Sequence, residues 1–148
     1  MAIMKDTHVG AIGVVGIILF ILVKYVALTH IPAFHKNKYL LIAPTLGRWS
    51  ILQMVFMSKY ARNTDGLGSP LIRYTTTKGF LIGLITVFFL VTPFLRYEGL
   101  LVWGASFIFT LWFTRYNEGK ICGITGDVMG ASCELNETLV FILGCARW

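Results

Sequence analysis

The sequence predicts an all-α integral membrane protein with about five transmembrane helices, and three observations carry that reading. Apolar residues make up 56% of the 148 residues and charged residues only 14%, whereas soluble domains carry about 25% charged residues. Mean hydropathy is +0.72. The apolar residues also gather into five separated stretches, which excludes disordered and ordinary soluble classes. The formal charge is +6, from 13 Lys and Arg against 7 Asp and Glu. Basic residues that are scattered rather than clustered suit cytoplasmic loops beside anionic lipid, or a polyanionic substrate. They do not suit nucleic acid.

The stretches are justified in turn as parts of a single helical membrane domain over residues 1–148. A bilayer core takes about 20 helical residues. The first run, 9–28, is uncharged up to Lys24, which sits near its end and can snorkel to the interface. Four more runs follow it with no clear small-x-small cleavage site, so it reads as a span rather than a signal peptide. The second, 39–58, is interrupted by Arg48, with Pro44 and Gly47 predicting a kinked or broken helix. The third, 79–95, is at the short limit, and the fourth, 100–114, is shorter still. The fifth, 126–146, is polar in its first half and apolar in its second. The gaps give loops at 29–38, 59–78, 96–99 and 115–125, the second rich in turn formers (Asn63, Asp65, Gly66, Gly68, Pro70). Five spans place Lys5, Lys59, Arg62, Arg73, Lys78, Arg115 and Lys120 on one side. Lys36, Lys38, Arg96 and Arg147, with Lys24 if counted, fall on the other. The seven-residue side is therefore expected in the cytoplasm and the C-terminus outside.

Cys122, Cys133 and Cys145 form no disulfide framework and read as small apolar residues. His8, His30 and His35 are too dispersed for a metal site and suit solvated or interfacial positions. Gly10, Gly13 and Gly16 in the first span, and Gly79 and Gly83 in the third, are expected to let helices approach closely.

The segment from Gly123 to Glu137 is the most informative. Asp127, Gly130, Glu134 and Glu137 fall at i, i+3, i+7 and i+10, so they share one helix face. A carboxylate in mid-bilayer costs about 2.5–3.5 kcal/mol even on lenient scales. Such a stripe must face a polar cavity, a metal or a cationic partner. Magnesium accepts carboxylates together with substrate phosphates. Gly126 and Gly130 would let a phosphate come close to the backbone. Thr125 would cap the helix, whose N-terminus favours an anion. A magnesium–phosphate site is the favoured reading, against an interfacial helix with its acids in water or an ion pathway. Asn136-Glu137-Thr138 is also a sequon, discounted because it falls within a predicted helix. Arg48, in mid-span, calls for a phosphate or for a salt bridge to one of the acids. Arg62, in Tyr60-Ala61-Arg62, would meet substrate or lipid phosphate.

These segments together resemble the cobalamin synthase family, the adenosylcobinamide-GDP ribazoletransferases. Lys5-Asp6 followed by Gly10 and Gly13 is similar to an Asp-x-x-x-Gly opening of a membrane helix. The segment Ala43-Pro44-Thr45-Leu46-Gly47-Arg48-Trp49 resembles the family's proline and arginine segment. Tyr60-Ala61-Arg62 with Gly66-Leu67-Gly68 resembles its cytoplasmic loop. Thr125-Gly126-Asp127, Gly130-Ala131, Glu134 and Glu137 match a Thr-Gly-Asp-x-x-Gly-Ala-x-x-Glu-x-x-Glu signature. Cys122 stands where the family has the first glycine of a Gly-Gly pair, so the turn there is expected to differ slightly.

The resemblance implies a transferase of cobalamin biosynthesis in the cell inner membrane, with its active face cytoplasmic. Its substrates would be adenosylcobinamide-GDP and α-ribazole or its 5′-phosphate, with release of GMP and magnesium as cofactor. Asp127, Glu134 and Glu137 would be catalytic, with Asp127 and Glu134 on the metal. Arg48, Arg62, Gly126 and Gly130 would hold substrate phosphates. The resemblance also implies that the chain is the C-terminal part of a larger polytopic fold. Activity would then require an N-terminal half bearing an Asp-Gly-x-x-Asp type acidic motif, and the partners implied are such an N-terminal chain or a second copy in a homo-oligomer. The alternatives are a catalytically silent membrane assembly protein and an ion-coupled transporter, and no inverted repeat supports the latter.

Overall fold

A computed structural model describes residues 10–59, 74–95 and 97–146, and all regular structure among them is helical apart from an isolated bridge position at Ile124. Five long helices follow in order: α1 Ala11–His30, α2 Ala33–Met57, α3 Thr77–Leu95, α4 Tyr97–Ile121 and α5 Gly126–Cys145. Four of them, α1, α2, α3 and α5, are long and apolar enough to cross a membrane. The fourth is long enough, at 25 residues, but is diluted by Glu98, Thr110, Thr114 and the polar run from Arg115.

Two helices are longer than their apolar stretches. The first loop shrinks to Ile31 and Pro32, because Pro32 both ends α1 and opens α2, its carbonyl accepting from His35 N and Lys36 N at 2.9 and 3.1 Å. A proline is well placed at a helix start, where its missing N–H costs nothing. Lys38 stays helical and lays its ammonium 5.5 Å from the Phe34 ring. Likewise α4 starts at Tyr97 and continues through Arg115–Lys120, where Lys120 covers the Tyr116 ring at 5.6 Å. Of the predicted 96–99 hairpin, residues 97–99 are helical. Helix α2 runs through Pro44 without a break, so of the kink or break expected there the break is not formed.

The turn before α5 is Cys122–Thr125. Cys122 has φ of 56°, a left-handed conformation that costs a non-glycine residue roughly 1–2 kcal/mol. A glycine would hold this position without strain. Ile124 N then bonds Lys59 O at 2.9 Å, tying the turn to the end of α2. Thr125 is buried, and its hydroxyl accepts from Val128 N at 3.4 Å, the cap expected from sequence.

Helices α2 and α5 form the central pair. α1 lies on α5, α3 lies on α2 and α4, and α4 lies on α2 and α5. The core of Tyr39, Ile42, Leu46, Trp49, Val91, Val140 and Phe141 fills these seams. Glycines set the α2–α5 distance. A Cβ on Gly47 would meet Glu137 Cγ at 2.9 Å and Cys133 O and Sγ at 3.0 Å, and one on Gly144 would meet the Tyr39 ring at 2.7 Å. Gly83 likewise abuts Leu52, whereas Gly10 and Gly16 face open space. The packing role expected of the first-span glycines therefore fails for those two, because α1 buries only Ala27.

A buried polar chain crosses this seam. Ser132 Oγ donates to Ser50 Oγ at 3.2 Å, and Asn136 Nδ2 donates to Ser132 O and Thr110 Oγ1 at 2.9 and 3.1 Å. Ser106 Oγ completes it by donating to Asn136 Oδ1 at 2.6 Å. In lipid, such bonds between helices contribute about 0.6 kcal/mol each on average. Asn136 is thereby fully buried, which rules out its sequon as a glycosylation site in this fold.

Candidate functional site

Helix α5 has two unlike faces. Met129, Ser132, Cys133, Asn136, Val140 and Phe141 are buried. Gly126, Asp127, Gly130, Ala131 and Glu134 are exposed on the opposite side, and Glu137 is half-buried at its edge. The stripe read from the sequence is therefore a real surface. A Cβ built on Gly126 or Gly130 meets nothing within 4 Å, so these two glycines leave the backbone open to an approaching group rather than to another helix.

Near mid-helix the stripe meets two cations. Lys24 Nζ lies 2.9 Å from Glu134 Oε2 and 2.5 Å from Glu137 Oε2. Lys24 is thirteen residues into α1, roughly 20 Å from its start. Lys24, read from the sequence as able to snorkel, is paired with two carboxylates across the α1–α5 seam. The Lys24 and Glu137 side chains are only 25% and 12% exposed, so each ion compensates the desolvation of the other.

Arg48, on α2, completes the cluster from the other side. Its Nη1 donates to Cys133 Sγ at 3.1 Å, and Cys133 lies between Gly130 and Glu134 on α5. Among the described residues Arg48 forms no ion pair within 4 Å, and Glu134 and Glu137 pair with Lys24 instead. The salt bridge to an acid weighed for Arg48 is therefore not made, and the guanidinium stays exposed beside the stripe. Two cations and two carboxylates balance in charge at this depth, which lowers the cost of placing them in lipid.

Asp127 stands apart, in the first turn of α5. A carboxylate there is favoured by the helix dipole. It precedes Glu134 by two turns, or roughly 10.5 Å along the axis. Two oxygens on one magnesium ion lie at most about 4.2 Å apart, given metal–oxygen distances of 2.0–2.1 Å. In this arrangement the Glu134 carboxylate is engaged by Lys24 rather than shared with Asp127. No group of three His, Cys, Asp or Glu side chains among the described residues converges as a metal site.

Arg62, with Lys5, Asp6 and Asp65, lies outside the described residues. Two clefts of about 450 and 490 Å³ open elsewhere and do not touch the stripe: one lies between α1 and the end of α5, the other is lined by Phe34, His35, Lys38 and Glu98. Sequence reasoning missed Lys24 as a member of the site, although a lysine well inside an apolar run opposite an acidic stripe is a usable signal. It also missed Cys133, whose side chain gives no such signal.

The model of the cobalamin-5-phosphate synthase family matches residues 1–146. The chain belongs to this family. Similar relatives are named adenosylcobinamide-GDP ribazoletransferase. That of Acetivibrio thermocellus is 35% identical over 143 residues, covering 97% of this chain and 58% of the relative. That of Geotalea daltonii is 39% identical over 146 residues, covering 94% and 56%, and that of Clostridium acetobutylicum is 35% identical over 140, covering 93% and 55%. The chain thus spans a little over half the length of these curated relatives. No solved structure matches it. The cobalamin-5-phosphate synthase family is thereby represented here by an all-helical membrane architecture whose signature lies on the open face of α5.

Proposed function

We propose that this chain supplies the α5 signature face of an adenosylcobinamide-GDP ribazoletransferase in the cell inner membrane, with that face opening to the cytoplasm. The observation that carries the reading is the coincidence of the open backbone at Gly126 and Gly130, the carboxylate of Asp127 and the exposed side chain of Arg48 along one open face. In the reaction the hydroxyl of α-ribazole, or of its 5′-phosphate, attacks the cobinamide-linked phosphorus of the diphosphate. A new P–O bond forms, the anhydride P–O bond breaks and GMP leaves. The α5 N-terminus favours phosphate oxygens. Arg48 holds a second oxygen, since Cys133, its contact, lies six residues or about 9 Å further along α5 than Asp127. Asp127 accepts the proton of the attacking hydroxyl. Magnesium, which the resemblance implies, would supply charge neutralisation on the phosphates; no step is assigned to it, because Glu134 is held by Lys24 here. The excess of basic residues on the α5 N-terminal side supports a cytoplasmic groove.

The test uses membranes in which this chain is co-expressed with the N-terminal portion of one of its longer relatives. Cobalamin formation and GMP release from adenosylcobinamide-GDP and α-ribazole are measured. Product that depends on this chain is expected. No product, in membranes where the relative's own C-terminal portion restores activity, would refute the reading.

A further inference from the structure

We infer that the acidic stripe of α5 is two separate units, and that the inner unit is a fixed ion triad in which Lys24 takes the place a divalent cation would take between Glu134 and Glu137. Three observations converge on this. Lys24 Nζ is within 2.9 Å of one glutamate and 2.5 Å of the other, so one ammonium serves both carboxylates. The two glutamates are three residues apart and share a face with Lys24 between them, whereas Asp127 lies two to three turns away along α5. Glu137 is also backed by α2, because its Cγ lies 2.9 Å from where a Cβ on Gly47 would stand.

The triad does a definite job. Helix α1 buries only Ala27, so apolar contact sets its register on α5 weakly. A single lysine held by two carboxylates across the seam fixes that register, and an intramembrane ion has few other partners. Lys24 is thus a positioning residue. It holds α1 and the two glutamates in one arrangement beside Arg48, and it keeps the inner carboxylates out of any metal shell. Metal-linked chemistry is thereby confined to the Asp127 end of the groove. The inference does not depend on the reaction proposed above, because it is read from metal binding and thermal stability rather than from activity.

The full chain in lipid nanodiscs provides the test, with Mn²⁺ as the probe, counted by electron paramagnetic resonance, and with melting temperature as the second readout. The variants are Lys24→Met, the pair Glu134→Gln with Glu137→Gln, and all three substitutions together. Removing either side alone leaves uncompensated charge in lipid, and the melting temperature is expected to fall by several degrees. The triple variant, which carries no charge at these positions, is expected to recover most of that loss. It should bind the same number of Mn²⁺ ions as the unmodified chain, with the same affinity. A purely structural role for a metal-bearing glutamate pair would not give equal Mn²⁺ binding. Loss of a bound Mn²⁺ in the triple variant would overturn the inference, as would failure of the triple variant to recover stability.

Discussion

Asp127→Asn is expected to lower cobalamin formation by at least about 10²-fold, the usual consequence of removing one group that acts on charge developing in a transition state. The substitution keeps the side-chain shape and removes its charge and basicity. Asp127 is exposed in the first turn of α5 and is not part of the core, so the amount of folded protein in the membrane should not change. The helix dipole loses a favourable anion, worth about 0.3–1 kcal/mol, which is small against the stability of a five-helix bundle. The check is paired measurement of turnover and membrane protein level in the co-expressed enzyme. Normal turnover by the asparagine variant would remove Asp127 from the chemistry.

The second large effect is on the fold. Gly47→Leu should separate α2 from α5, because even a Cβ at that position would stand 2.9 Å from Glu137 Cγ and 3.0 Å from Cys133 O. The carbonyl belongs to a helix backbone and cannot rotate away. Overpacking of this kind costs about 1–3 kcal/mol, and here it also displaces the glutamate that Lys24 holds. A lowered melting temperature and lost activity are expected together. Gly130→Leu is the contrasting case: nothing stands within 4 Å of a Cβ there, so stability should be unchanged while activity falls, because the side chain fills the groove. Thermal unfolding of both variants separates packing from access. Equal stability of the Gly47 variant would show that the α2–α5 seam is looser than described.

The parts of this architecture that were legible in the sequence are those set by local chemistry. The start of α5 follows from Thr125, a capping residue, and its acidic face from the i, i+3, i+7, i+10 spacing of Asp127, Gly130, Glu134 and Glu137. The five long helices among the described residues follow from five apolar runs. Helix ends were legible only where a breaker coincides with the edge of the bilayer core. Hydropathy marks the span that lipid requires, and Lys36, Lys38 and the Arg115–Lys120 run stay helical beyond it. The partner of the stripe was not legible, since the apposition of Lys24 with Glu134 and Glu137 is made by tertiary packing of residues 110 and 113 positions apart. The Ser50–Ser132–Asn136–Thr110–Ser106 chain was equally hidden, because small polar residues scattered in apolar runs take on meaning only when their helices meet.

The central claim is that substrate lies along the open face of α5, between the α5 N-terminus and Arg48. It is tested most directly by photo-crosslinking from a light-activated residue placed at Ala131, which is exposed beside Gly130 on that face. The control position is Ile108, which is 65% exposed on α4. Adenosylcobinamide-GDP is expected to crosslink from position 131 and not from 108, and unlabelled substrate should compete the signal away. Equal crosslinking from both positions, or none from position 131 in membranes that make cobalamin, would contradict the account.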